Sequence, residues 1–510
     1  MFCSARFQQK IRNHQPAILG MVRFQNPFFA TILAKGGCDC ILIDNEHFPF
    51  TDRDIQDIIQ AVHAEGACCL VRVGQKMLEH IYRVMDMGAD GILAPDVDTA
   101  EDAQAIVDAV KYPPIGHRGC CPITAGADYG ISVASLAYYP KANEQTIVGL
   151  MIESNDGHDN LNQILQVRGI DYFSIGPSDF SGSLGKPGQT KTDPIIRALI
   201  RETYHSITEA GYEASGLAYT SEQAKSVLED GRHILNIGSD LQILSREYQS
   251  HISEANTEFD RIGAVRSHRS LKARMAAKEP ILLPYMRIAD PCAIELACLC
   301  GVAQMVIDDE HYPFDEKELT EMIRACHAHG ASCIVRVHDK TPEGIMHVLD
   351  MGADGICAPQ VTSYEEVLSI VHSATHANRK NPETYRNLVC TQEVDPVIGI
   401  MVETKGAVED IDKILSIPEL DYISVGPSDI TASYRMPGQY DNPLIKQIVE
   451  YVWGKVANSH VALSCQCYTT DKIIPAYQQG KRIFNIGSDL QYLIWGVNRL
   501  MRGMQDILKD

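Results

Sequence analysis

The chain has 510 residues, 45% of them hydrophobic, and a formal net charge of −21 at pH 7. That charge argues against a nucleic-acid or anionic-membrane binder, whose surfaces are basic, and no apolar run reaches the ~18 residues that a bilayer span requires. The 16 cysteines sit largely inside apolar runs, among them Cys38, Cys40, Cys68, Cys69, Cys298, Cys300, Cys333 and Cys357, so they read as small buried hydrophobes of a reducing, cytoplasmic compartment rather than a disulfide framework.

The basic N-terminal stretch MFCSARFQQKIRN is not followed by a clean apolar signal segment. Eight short apolar runs then appear, at 17–23, 38–44, 67–73, 91–95, 147–153, 172–177, 213–218 and 233–238. Segments with helical spacing and a terminal glycine separate them, as at 52–66 and 77–88. Eight strands alternating with helices in about 250 residues predict an α/β fold, a (β/α)8 TIM barrel. A doubly wound sheet is the structural alternative.

From residue 280 the pattern begins again. ILIDNEHFPF at 41–50 returns as MVIDDEHYPF at 305–314, MDMGADGILAP at 85–95 as LDMGADGICAP at 349–359, SIGPSDFSGS at 174–183 as SVGPSDITAS at 424–433, and LNIGSDLQ at 235–242 as FNIGSDLQ at 484–491. Two barrels of one kind are expected, at 1–262 and 263–510, meeting in a polar, basic, helical stretch near 255–278. His47 and His311 are 264 positions apart, as are Arg72 and Arg336, whereas Glu153 and Glu403, like Asp179 and Asp429, are 250 apart. The second copy is therefore shorter by a net 14 residues, lost in an altered region between 360 and 397. Cys465 and Cys467 form C-x-C on an expected strand, so their side chains should face opposite ways.

The repeated polar residues gather at one kind of place. Asp44, Glu46 and His47 follow the second strand, Arg72 ends the third, Glu153 ends the fifth and Asp179 follows the sixth. These are C-terminal strand ends, where barrel enzymes carry their chemistry. Glu153 and Asp179, repeated as Glu403 and Asp429, are hard oxygen donors suited to Mg²⁺ or Mn²⁺, with Co²⁺ as a further candidate. A helix cap is the competing reading of Asp179. The turns Gly176-Pro177-Ser178 and Gly426-Pro427-Ser428 open helices whose amides can receive a substrate carboxylate. Arg72 and Arg336 can hold a keto oxygen and stabilise an enolate, and His47 and His311 can move protons; a structural ion pair of Arg72 with Asp44 or Asp86, and a satisfied core histidine at His47, are the competing readings. Asp44 and Asp308 are placed to orient those histidines or bridge to water. Asp86 and Asp350, each 14 residues beyond its arginine, read as its supporting partners, with a solvated helix face as an equal alternative. No lysine recurs in these motifs, which argues against Schiff-base chemistry, and no nucleotide-binding glycine loop is present.

The motifs IDNEH, VRV, MDMGADGILAP, KYPPIGHRG, MIES and IGPSDFSGSLG resemble the class II pyruvate aldolases of the HpcH/HpaI family, over residues 16–245 and, less completely, 280–495. The resemblance implies barrels of the phosphoenolpyruvate/pyruvate type, a divalent metal, and an aldehyde-lyase that cleaves 4-hydroxy-2-oxo acids to pyruvate and an aldehyde. It implies metal ligation by Glu153 and Asp179, enolate binding by Arg72, and proton handling by His47 with Asp44, with Glu403, Asp429, Arg336, His311 and Asp308 repeating those roles. Arg118, in the YPPxGxRG loop at 112–119, would border the substrate; the second copy lacks that loop. The expected partners are a small 2-oxo acid and an aldehyde, with an internal barrel pair, terminal helices exchanged between neighbouring barrels, and room for a higher homo-oligomer. An oxaloacetate decarboxylase or enolpyruvate-using carbon–carbon synthase is one alternative. One catalytic barrel beside a ligand-binding or structural one is another.

Overall fold

The computed structural model describes residues 3–74, 78–131, 135–267, 269–312, 314–380, 395–504 and 507. Eight parallel strands close the first barrel: β1 (Ala17–Val22), β2 (Cys40–Asp44), β3 (Cys68–Arg72), β4 (Gly91–Ala94), β5 (Ile147–Ile152), β6 (Tyr172–Ile175), β7 (Glu213–Leu217) and β8 (Ile234–Ser239). All eight apolar runs are strands, with bounds within two residues of those expected. β1 pairs with both β2 and β8, so this barrel has no exposed edge.

The second copy forms β9 (Ile281–Leu282), β10 (Tyr285–Met286), β11 (Gln304–Asp308), β12 (Ser332–Arg336), β13 (Gly355–Ala358), β14 (Val397–Val402), β15 (Tyr422–Val425), β16 (Ala462–Gln466) and β17 (Ile483–Asn485). Their order runs from β10 through β17 to β9. The two ends of that order are halves of one strand, interrupted at Leu283-Pro284. Pro284 stands where the first copy has Gly20. A proline has no N–H to give to a ladder, so the strand breaks there and resumes. The sheet still curls into a barrel, with Tyr285 bridging to Ser488.

Each barrel is filled from within. Leu19, Leu42, Leu70, Leu93, Met151 and Tyr172 belong to the first core, and Phe7 and Ile11 of the helix Ala5–Arg12 join it. The basic N-terminal stretch is thus amphipathic and plugs the barrel. Leu271 and Met275 do the same for the second barrel. Part of the stretch expected to be a connector is therefore the second copy's own plug. Tyr172 lies flat over Gly149, where a Cβ would overlap the ring, and Tyr422 covers Gly399 in the same way.

The chain divides into two compact units, Met1–Ile243 with Leu493–Asp510, and Leu244–Tyr492. The division at 262/263 marks the sequence repeat, not the edge of a compact unit. In the first unit, Val497 and Met501 pack on Gly36 and Gly37. In the second, Ile252 faces Gly301 and the Tyr248 hydroxyl donates to Met286 Sδ at 3.4 Å. Cys465 and Cys467 do not point apart: β16 ends at Gln466 and their sulfurs lie 3.6 Å from each other. Among the described residues, no helix is long and apolar enough to cross a membrane. Residues 381–394, part of the altered region of the second copy, lie outside the described residues.

Candidate active site

The parallel register sets Asp44 beside Arg72 at the C-terminal ends of β2 and β3. Asp44 is fully buried. Its Oδ1 accepts from Arg72 Nε at 2.9 Å and Nη2 at 2.6 Å, and its Oδ2 accepts from Arg23 Nε at 3.0 Å. Both carboxylate oxygens are taken by guanidinia, so Asp44 does not orient His47. The carboxylate beside His47 is Glu46, with Oε2 3.8 Å from His47 Nε2. That same oxygen is 3.1 Å from Arg72 Nη1 but, among the described residues, has hydrogen-bond geometry to no donor, and it is buried. Burial pushes the Glu46 carboxyl up against the pull of Arg72 and His47.

Glu153 follows β5 and is 4% exposed. Its Oε1 accepts from the Asp96 amide at 2.7 Å. Burial pushes its pKa up to about 7, with Glu46, Asp96 and Asp179 adding repulsion. One carboxylate oxygen each from Glu46, Asp96 and Glu153 lie within 4.8 Å of one another. Gly176 is pressed against Glu153, where a Cβ would overlap the carboxylate. Asp179 is exposed in the first turn of the helix Pro177–Ser183, and the residue at that helix's cap position, Gly176, offers no side-chain bond.

Arg23, His47, Arg72, Gly176, Pro177, Ser178 and Asp179 all line one cavity of about 350 Å³, with Met21, Met151 and Tyr172 supplying apolar wall. Asp86 and Arg118 lie outside that lining. Arg118 is buried, donates from Nη2 to Asp86 Oδ1 at 2.6 Å, and stacks 4.6 Å over the Tyr112 ring. Asp86 therefore partners Arg118, not Arg72.

The second barrel repeats the arrangement. Arg336 donates from Nε to Asp308 Oδ1 at 2.7 Å and from Nη2 to Oδ2 at 2.5 Å, and Arg287 donates to Asp308 Oδ2 at 3.1 Å. Glu310 Oε2 lies 3.1 Å from Arg336 Nη1 and 3.8 Å from His311 Nε2. Burial also raises Glu403 to about 7. A Cβ on Gly426 would stand 2.5 Å from Glu403 Oε2 and 3.5 Å from Asp429 Oδ2, so both carboxylates reach the same spot. Pro427 and Ser428 open the helix Pro427–Ser433 beside it. Asp350 ends the helix Pro342–Asp350, as Asp86 ends its own.

Two of the differences change the site's charge and one of its large walls. Gln360 replaces Asp96; its amide N–H donates to Glu403 Oε1 at 2.6 Å, and its Nε2 donates to Glu310 Oε1 at 3.0 Å. Tyr285 replaces Met21, and its buried ring lies 5.3 Å beneath the Arg336 guanidinium.

Sequence reasoning missed Arg23, gave no role to Glu46, which it placed at a strand end, and missed Asp96. The first two recur as Arg287 and Glu310, so the repeat itself carried their signal. Asp96 does not recur, and a search for repeated residues discards it.

These residues fit a divalent cation on their own chemistry. Three oxygen donors converge, one buried carboxylate oxygen has no hydrogen-bond donor among the described residues, and a second carboxyl is destabilised as an anion until a positive charge joins it.

The model of the HpcH/HpaI aldolase/citrate lyase family matches residues 21–246 and 282–495. The 2-keto-3-deoxy-L-rhamnonate aldolase of Escherichia coli K12 is 33% identical over 246 residues, which is 47% of this chain and 88% of that protein. Its counterpart from Salmonella gallinarum is 32% identical over 254 residues, 48% of this chain and 91% of that one. Among solved structures, an HpcH/HpaI aldolase from Desulfitobacterium hafniense is 27% identical with a TM-score of 0.43, covering 47% of this chain and 90% of its own. Each relative spans about half of this chain because the match occurs twice. The chain belongs to the HpcH/HpaI aldolase/citrate lyase family and carries its barrel in two fused copies.

Proposed function

We propose that this protein is a divalent-metal-dependent lyase that cleaves or forms 4-hydroxy-2-oxo acids through a pyruvate enolate. The observation that supports this most is the meeting of two opposite fields: a guanidinium fixed on a buried carboxylate, which lines the cavity with Asp179, and beside it Glu46, clustered with the carboxylates of Asp96 and Glu153. Glu153 and Asp179, with Glu46 and Asp96 beside them, would hold Mg²⁺ or Mn²⁺. The cation, when bound, polarises the 2-oxo group and lowers the cost of enolate formation.

The rest falls to side chains of the chain itself. Arg72 is held at Nε and Nη2 by Asp44, and the keto oxygen, with the charge that grows on it, would take Nη1 from its contacts with Glu46 Oε2 at 3.1 Å and Met151 Sδ at 3.9 Å. The amides of Ser178 and Asp179 receive the substrate carboxylate. In the cleaving direction, His47, exposed at the mouth, accepts the proton of the 4-hydroxyl. The C3–C4 bond breaks, its electron pair passes into the enolate, and the aldehyde leaves. A proton returned to C3 then yields pyruvate. The second barrel keeps every charged member of this set except Asp96, so we assign it the same reaction class with a different partner.

Exchange of the pyruvate methyl protons in D₂O, followed by NMR, tests enolisation without any aldehyde. Exchange is expected with Mg²⁺ and lost on thorough chelation. The Arg72→Lys, Arg336→Lys double variant should slow it about 100-fold or more, as for loss of an oxyanion donor. Wild-type exchange in that variant refutes the reading.

A further inference from the structure

A second cluster of ligand-type side chains lies at the opposite end of the first barrel. Glu213 opens β7, His233 immediately precedes β8, and His14 sits in the turn between the helix Ala5–Arg12 and β1. β8 pairs with both β1 and β7, so barrel closure gathers residues far apart in sequence. Glu213 is 5% exposed. Its Oε1 lies 2.5 Å from His14 Nδ1 and 3.0 Å from His233 Nδ1, which is also 3.1 Å from Oε2. One ligand atom from each residue falls within a common 4.8 Å.

Two imidazoles and a carboxylate are zinc donors of the open, three-ligand kind. With Zn–N and Zn–O bonds of about 2.0–2.2 Å, a tetrahedral ion holds its ligand atoms roughly 3.3 Å apart. The present contacts are tighter by a few tenths of an ångström to somewhat under one, and His14, 61% exposed on its turn, can draw back to admit an ion.

The second copy shows that the fold does not require these residues. Tyr172 pairs with Glu213 and Tyr422 with Ala462, while Ala17 pairs with Ile234 and Ile281 with Ile483. By that register Ala462, Arg482 and Lys278 replace Glu213, His233 and His14. His14 and Lys278 share a left-handed φ of 53°. The turn is thus common to both copies, and Lys278 spends its ammonium group on the carbonyls of Ala457 and Ser459. A glycine would hold this φ without the steric cost of a Cβ, so histidine is present for its ring.

The geometry points to a zinc site on the N-terminal face of the first barrel, formed by His14, Glu213 and His233 with a water completing the shell. This face of a barrel serves stability, and zinc here would clamp the turn after the first helix to β7 and β8.

The test uses the full chain with excess Mg²⁺ to occupy the carboxylate-rich mouths. Zn²⁺ is titrated by calorimetry into the wild type, His14→Gly and His233→Ala. The wild type should take up one zinc equivalent more than either variant, and zinc should raise its melting temperature further. His14→Gly loses one contact to Glu213 but relieves a left-handed residue, and Glu213 keeps His233, so the variant should remain folded with a metal-free melting temperature near that of the wild type, which separates loss of a ligand from loss of the fold. Equal zinc uptake by the wild type and His14→Gly overturns the site.

Discussion

At the scale of single residues, the site is governed by how charges are paired. Asp44 is fully buried yet stays satisfied because two arginines share it, whereas Glu153 has an amide and three neighbouring carboxylates. Its pKa near 7 is raised, so the folded protein holds a proton there that the unfolded chain would release above its ordinary 4.5. The sign follows from linkage: metal-free stability falls as pH rises from the unfolded value through about 7, and cation binding, which needs the anion, strengthens over the same range. Glu403 behaves alike. Titration of Mn²⁺ followed by electron paramagnetic resonance should show affinity falling about tenfold per pH unit below 7 for one linked proton. It should also resolve two classes of site, the tighter one in the first copy, because Asp96 adds a charge that Gln360 lacks. A single class with no pH dependence would contradict both the raised carboxyls and the role of Asp96.

At the scale of elements, the two barrels use the same strand ends but different walls. Met21 on β1 lines the first cavity, and Tyr285 on β10, after the break at Pro284, brings a ring beneath Arg336. The second copy should therefore accept a smaller partner. Tyr285→Met is expected to raise kcat/KM for bulkier aldehydes at the second site, and Met21→Tyr to lower it at the first. Each change should be roughly 10- to 200-fold, the range of one pocket group in an apolar site. Each is measured with the other barrel silenced at its arginine. No change in the size preference would remove Tyr285 from the specificity argument. Strand positions were legible because β-branched runs bounded by turns are a local signal. The pairing of Asp86 with Arg118 was not, because an equal spacing from Arg72 and Arg336 says nothing about where a helix end points.

At the scale of the whole molecule, the first compact unit is discontinuous: Met1–Ile243 is joined by Leu493–Asp510, which carries most of the helix Asp489–Met504, whereas the second unit is the single stretch Leu244–Tyr492. Ile243, Leu244, Tyr492 and Leu493 are all buried, as apolar positions recurring in both closing helices suggest. Residues 1–262 expressed alone would lack Val497 and Met501 over Gly36 and Gly37. That fragment is expected to be less stable and to aggregate or self-associate, with its behaviour rescued by co-expression of 263–510; light scattering and thermal unfolding measure both. A fragment that is monomeric and as stable as the full chain would show that the closing helix contributes little.

Sequence by itself determined the duplication, the eight strands of each copy, and the placing of Asp44, Glu46, His47, Arg72, Glu153 and Asp179 at strand ends, because alternation, turn chemistry and repeated identities are written along the chain. The tertiary structure alone decided that Glu46 and Asp96 stand with Glu153, that Asp44 serves Arg72 rather than His47, and that His14 meets Glu213 and His233. Those contacts depend on barrel closure and on rotamers, which bring together residues tens to hundreds of positions apart and leave no periodicity to read.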